Sequence, residues 1–263
     1  MVGAVPLDTS AVLTLLQETA AEVIDPRFRA LQDGEVSSKT HAGDLVTVAD
    51  QEAEVIITAA LRAAYPDALV LGEEAYAGDK GLLEAFRRAD HAFTVDPVDG
   101  TRNFVHGSPD HAVMVSEVHG GRAVRAWIWQ PQHRSAYVAE LGAGLWRDGE
   151  RVRVHEPAPS PQEWDVRTSR RSAVGTMLGP LGPLALTWAS CGIDYPHLAT
   201  GGCDALIYRG TMPWDHVPGS LMMHEAGGVV GTDDGGPYGP RSTPGAIVGA
   251  VDATVLRTVL SHL

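Results

Sequence analysis

The stretch "DPVDGTRNF", Asp96–Phe104, decides how this chain of 263 residues is read. It follows an apolar run, "HAFTV" (His91–Val95), with the character of a buried strand. It carries two carboxylates, Asp96 and Asp99, around Pro97, and then breaks at Gly100–Thr101. Carboxylates at the end of a buried strand are costly unless they are hydrogen-bonded, paired or bound to a metal. Taken singly, an Asp in such a place is most often a turn or cap residue, and Asp-Gly is a common turn signal. The neighbouring acidic stretches shift that balance.

Three of them stand at the edges of expected strands and helices. "GDLVTVADQEAE" carries Asp44 and Asp50, "LGEE" carries Glu73 and Glu74, and "MPWDHVPG" carries Asp215. Asp215 alone reads as an N-cap for the helix that follows. Together with Asp96 and Asp99 these groups form a set of hard oxygen ligands, which suits Mg²⁺ or Mn²⁺ better than zinc or copper.

Working outward, "LDTSAVLTLLQETAAEVI" and "DQEAEVIITAALRAAYP" have apolar residues at helical spacing, the second stopped by Pro66. "ALVLGEE" reads as a short strand and "KGLLEAFRRA" as a helix. From His111 to Val154 apolar and polar residues alternate between glycine-rich breaks, which predicts an antiparallel meander. "HEPAPSPQEW" is the best linker. Beyond it, "LALTWAS", "DALIYRG", "GGVVGT" and "GAIVGAV" predict strands, with helices at "GIDYPHLAT", "WDHVPGSLMMHEAGG" and "DATVLRTVLSHL". The expected organisation is an α+β lobe over 1–154 with an antiparallel sheet and most acidic residues. An α/β lobe over 155–263 then supplies Asp215.

The net charge of −13 argues against a nucleic-acid or anionic-membrane partner, and no basic stripe with interleaved aromatics occurs. An anionic substrate would need a bound cation to neutralise the site. The two cysteines, Cys191 and Cys203, fit no CxxC or disulfide framework. With no leader pattern and no apolar run of the ~18–20 residues a membrane helix needs, a cytoplasmic protein is expected. Eleven histidines raise the question of zinc, but "HEAGG" lacks the second His of HExxH, and His216 and His224 have no accompanying set. His106 reads as a rim residue. P-loop and nucleophile-elbow patterns do not occur.

"GEE", "DPVDGTRNF" and "WDHVPG", in this order, resemble the metal-site motifs of the inositol monophosphatase family of lithium-sensitive, metal-dependent phosphatases. "GDLVTVADQEAE" and "LATGGCDALIY" resemble two further segments of that family. The resemblance implies a layered α-β-α-β-α sandwich of the inositol monophosphatase and fructose-1,6-bisphosphatase type. It implies two or three Mg²⁺ per site, held by Glu73, Asp96, the Val98 carbonyl, Asp99 and Asp215. Asp50, Glu73 and Thr101 would activate the attacking water. The N–H groups of Gly100 and Thr101 would hold the phosphate, which suits a helix start. Lys39 would lie on a flexible active-site loop. Relatives are commonly homodimers.

In inositol-specific members a Glu stands seven residues before the last metal Asp. Here that position is Tyr208, and the small residues lining the ring map to Ser190 and Cys191. The resemblance therefore implies a phosphomonoesterase for a small phosphorylated metabolite, inositol-1-phosphate or a related polyol phosphate first. Histidinol phosphate and adenosine 3′,5′-bisphosphate are the alternatives. A regulatory binding protein without turnover is the other class, and the intact acidic set argues against it.

Overall fold

The computed structural model describes residues 5–38 and 45–263, and Lys39 and Asp44 lie outside the described residues. A short antiparallel pair, β1 (Val36–Ser38) and β2 (Leu45–Thr47), comes first. Seven strands then form one sheet in sequence order. They are β3 (Leu69–Gly72), β4 (His91–Asp99), β5 (Ala112–His119), β6 (Arg122–Gln130), β7 (Ser135–Glu140), β8 (Gly144–Arg147) and β9 (Glu150–Val152). Only β3 and β4 run parallel, and from β4 onward the sheet is the expected meander.

The second sheet holds β10 (Val166–Thr168), β11 (Ala185–Leu186), β12 (Ala205–Tyr208), β13 (Val229–Thr232) and β14 (Ile247–Ala250). Its order is β11-β10-β12-β14-β13, parallel in the first three strands and antiparallel in the last two. The run Leu184–Ser190 is strand-like in sequence, but only Ala185–Leu186 pairs. The reason is local. The Trp188 N–H donates to Asp194 Oδ1 at 2.7 Å, and Ala189 turns the chain at φ +60°.

The helices are α1 (Thr9–Thr19), α2 (Val48–Ala64), α3 (Glu73–Gly78), α4 (Gly81–Arg88), α5 (Thr101–Val105), α6 (Cys191–Ala199), α7 (Pro213–Ala226) and α8 (Ala253–Leu260). Alternation along the strands of the large sheet sorts its two faces. Phe93, Val95, Val113, Val115 and Trp127 pack with α1 and α2. Ala112, Met114, Ala126 and Ile128 face the other way, into a core shared with α6, α7 and the five-stranded sheet. With Val255 and Val259 of α8 closing that second sheet, the layers run α-β-α-β-α. Among the described residues no helix is long and apolar enough to cross a membrane. The stretch 155–164 between the sheets is tied down, with His155 Nε2 2.9 Å from Asp204 Oδ1 and Trp164 Nε1 donating to the Ala158 carbonyl at 2.7 Å.

Candidate active site

A departure from regular pairing builds the centre. In an unbroken strand, residues 96 and 99 would point to opposite faces. Here Asp96 pairs with Met114 and Asp99 with Ala112, so three steps on β4 match two on β5. The extra residue is a bulge, and Pro97, which has no N–H to donate, sits inside it. Both carboxylates thereby reach one place. Asp215, in the first turn of α7, completes the set, and one oxygen of each lies within 4.8 Å of the others. Asp96 and Asp99 are buried and Asp215 is half-buried.

Glu73 begins α3, at the C-terminal end of β3 beside β4. It lies outside that 4.8 Å group and lines the adjoining cavity together with Asp215. Glu54, on α2 one turn beyond Asp50, sets its position. The Glu54 carboxylate accepts from the N–H groups of Glu74 and Ala75 at 2.7 and 2.8 Å. It fills the space above Gly72, where a Cβ would stand 2.3 Å from it. Sequence reading missed Glu54; its signal was the one-turn spacing from Asp50, which puts both acids on one face of α2.

Asp50 is fully buried in a capping box with Thr47. Its Oδ2 accepts from Thr47 Oγ1 at 2.5 Å and from the Thr47 N–H at 2.9 Å. Its Oδ1 faces Thr101 Oγ1 at 2.9 Å, while the Val98 carbonyl is 3.1 Å from the same hydroxyl. The one Thr101 proton serves one of these acceptors at a time, leaving lone pairs to receive a proton from outside. Burial pushes the Asp50 carboxyl up to about 6, and the Glu73 charge adds to the rise. Asp99 is also raised to about 6, chiefly by burial, against hydrogen bonds from Ser190 Oγ and from the Gly192 N–H at 2.7 Å.

Gly100 turns with φ +83°, and a Cβ there would meet Ser190 Cβ at 2.9 Å. Thr101 opens α5 immediately after it. Asn103 anchors this short helix by donating to the carbonyls of Asp110 (2.7 Å) and Trp188 (2.8 Å). Asn103 belongs to the opening motif, but its role was not visible there, because both acceptors are backbone atoms outside it.

Ser190 is thus buried against Asp99. Cys191 is buried, and burial holds its thiol well above the usual range. Tyr208 is buried, donates its hydroxyl to Asp194 Oδ2 at 2.7 Å, and packs between Tyr195 and His216. Asp194 is raised to about 7, first by burial. The open space lies elsewhere. A cavity of about 660 Å³ beside Glu73 and Asp215 is walled by Ser37, Ser38, Tyr76, Lys80, Met212 and Trp214. The Lys80 ammonium lies 3.8 Å from the Tyr76 ring centroid. The active-site-loop lysine expected at position 39 lies outside the described residues.

Two buried carboxylates, Asp96 and Asp99, thus converge with the half-buried Asp215, and burial raises the Asp99 pKa to about 6. Their all-oxygen donor set fits a hard divalent ion. Residues 8–262 match the sequence model of the inositol monophosphatase family. The chain belongs to that family. An inositol-1-monophosphatase from Mesorhizobium japonicum is 31% identical over 86% of this chain and 87% of its own. The Nus factor SuhB of Pseudomonas aeruginosa is 32% identical over 81% and 80%. The fold agrees with that of an inositol monophosphatase from Thermotoga maritima, with a TM-score of 0.81 at 25% identity over 95% of this chain and 93% of that one. As an inositol monophosphatase family member, the protein is a metal-dependent phosphomonoesterase acting on a small phosphorylated substrate.

Proposed function

We propose that the protein is a cytoplasmic, homodimeric, Mg²⁺-dependent phosphatase for a small polyol phosphate, inositol-1-phosphate or a close analogue. The observation that carries this reading is the convergence of Asp96, Asp99 and Asp215 within 4.8 Å, next to the Thr101–Asp50 pair. Asp96, Asp99, Asp215, Glu73 and the Val98 carbonyl would hold two or three ions, with Mn²⁺ as a substitute for Mg²⁺. When bound, such ions supply Lewis acidity at the phosphoryl oxygens and lower the pKa of water at the site.

The protein's own groups do the rest. Thr101 Oγ1 passes its proton toward Asp50 Oδ1 and accepts one from the attacking water. A hydroxyl alone is too weak a base, and the buried Asp50 carboxylate polarises it. Glu73 helps orient that water. The N–H groups of Gly100 and Thr101 would hold the phosphate, and the missing Cβ at Gly100 would let the backbone come close. Ser190, Cys191 and Tyr208 are all buried and would affect the leaving group only indirectly, through the packing behind Asp99 and Asp194. The charge of −13 favours a small ester over a nucleic acid.

The test is phosphate release from inositol-1-phosphate, histidinol phosphate and adenosine 3′,5′-bisphosphate, with and without Mg²⁺. Inositol-1-phosphate is expected to give the highest kcat/KM. A higher value for either other ester overturns the substrate assignment. Release that is independent of Mg²⁺ overturns the choice of ion.

A further inference from the structure

At the far end of β4 from the carboxylate centre, antiparallel pairing sets His91 directly opposite His119 of β5. Glu117 lies two residues before His119 and so points to the same face. The Nε2 atoms of both histidines approach one oxygen, Glu117 Oε1, at 2.9 and 3.1 Å. The two rings are stacked, with centroids 3.8 Å apart and planes 20° from parallel. One ligating atom from each of the three residues lies within 4.8 Å of the others. Arg125 of β6, paired with Glu117 of β5, donates to the remaining oxygen, Oε2. Its other N–H groups donate to the Leu7 carbonyl and to Tyr65 Oη.

We propose that His91, Glu117 and His119 form a second metal site, separate from the carboxylate centre, that takes Zn²⁺. The donor set decides the class of ion. Two imidazoles and one carboxylate suit a borderline divalent ion, whereas Mg²⁺ prefers oxygen throughout. The Nε2–Oε1 separations are close to the roughly 3.3 Å edge of a tetrahedron whose bonds are about 2.0–2.1 Å. Burial, and then the neighbouring His119, depress the His91 pKa, so its ring is neutral and available. Arg125 plays the outer-shell part, fixing the carboxylate through the oxygen that does not face the histidines. The surroundings are half-desolvated. Glu117 has 5% of its side chain exposed and His91 22%, while Tyr65 and Phe93 pack on the His91 ring.

The His119 side chain is 48% exposed, which gives an ion its entry path and leaves that ring free to turn. It must turn, because the lone pairs of stacked rings run nearly parallel and do not converge. Binding replaces the two Nε2···Oε1 hydrogen bonds. Each ring proton moves to Nδ1, so no net proton is lost from neutral rings. Water fills the fourth position. No spacing pattern announces this set, since His91 and His119 meet only through strand pairing.

The test uses the full chain in excess Mg²⁺, which keeps the carboxylate centre filled. Zn²⁺ is titrated in against a chromophoric chelator, and Co²⁺ is used in parallel for its visible spectrum. The wild-type protein is expected to bind one equivalent of Zn²⁺ and to show a four-coordinate Co²⁺ band. His119→Ala, at the more exposed position, should weaken Zn²⁺ by on the order of a hundredfold or more, beyond the 10–100-fold usual for an outer-shell loss. His91→Ala should do the same, and Asp215→Asn should leave this Zn²⁺ equivalent in place. Melting without metal checks that each variant is folded. Zn²⁺ should raise the melting temperature of wild type and not that of His119→Ala. Equal Zn²⁺ binding by wild type and His119→Ala overturns the site. So does a Zn²⁺ signal lost only in Asp215→Asn, which would place the ion among the carboxylates.

Discussion

Two residues with different duties can be separated by kinetics. Asp96 is buried among like charges, a position in which it would help to hold a cation. Asp96→Asn keeps the volume and removes one charge. Turnover should fall by roughly three orders of magnitude or more, because several kcal/mol of charge stabilisation go with the ion. The metal-free protein should melt no lower than wild type, since a like-charge repulsion has been relieved. Activity near wild type would remove Asp96 from the centre. The Thr101 hydroxyl faces Asp50 Oδ1 and the Val98 carbonyl. Thr101→Ala should therefore lower kcat while the Mg²⁺ concentration for half-maximal rate stays within about twofold, and Thr101→Ser should recover much of the rate. A loss confined to Mg²⁺ affinity would instead make Thr101 part of the metal shell. That Asp96, Asp99 and Thr101 stand close together was legible in the sequence, because all three lie in one contiguous stretch. The placing of Tyr208 was not legible, since its buried partner Asp194 stands 14 positions away.

At the scale of elements, the site depends on how helices are begun. The first turn of α3 leaves N–H groups that its own carbonyls cannot satisfy, and two of them find the Glu54 carboxylate. That contact ties α2, which carries Asp50, to the element that carries Glu73. Glu54→Ala removes a charged acceptor from two half-buried N–H donors, at about 1.5–3 kcal/mol. Half of the consequence should appear in stability, as a lower denaturation midpoint. The other half should appear in function, as a several-fold higher Mg²⁺ requirement with kcat at saturating Mg²⁺ largely kept. An unchanged Mg²⁺ requirement would show that Glu73 keeps its place without Glu54. The meander was readable from alternation, because each strand shows one face to α1 and α2 and the other to the central core. The bulge at Pro97 and the mixed order of the small sheet were not readable. Both are set by pairing between strands, and a single strand's pattern does not record its partner.

For the whole molecule, acid stability is set by buried groups of opposite kind. Asp194, raised to about 7, binds a proton in the fold at a pH where the unfolded chain does not, so on its own it adds stability as pH falls toward about 4. His111 works the other way. It is fully buried between Phe28 and Phe104, and its Nε2 has no hydrogen-bond partner among the described residues. Burial depresses it to about 4. Unfolded, the same ring takes its proton near pH 6.5. Below that pH the unfolded chain binds a proton that the fold refuses, so stability is lost from about 6.5 down to about 4 and not further. Between pH 7.5 and pH 5 this amounts to roughly 2 kcal/mol at about 1.4 kcal/mol per unit. His111→Leu keeps an apolar filling and deletes the titration. Denaturant unfolding of the metal-free proteins at the two pH values is the measurement. The variant should gain on wild type by about that amount on acidification, whichever is more stable at pH 7.5. If the difference between the two proteins is the same at both pH values, His111 takes up its proton inside the fold, and the acid sensitivity has another source.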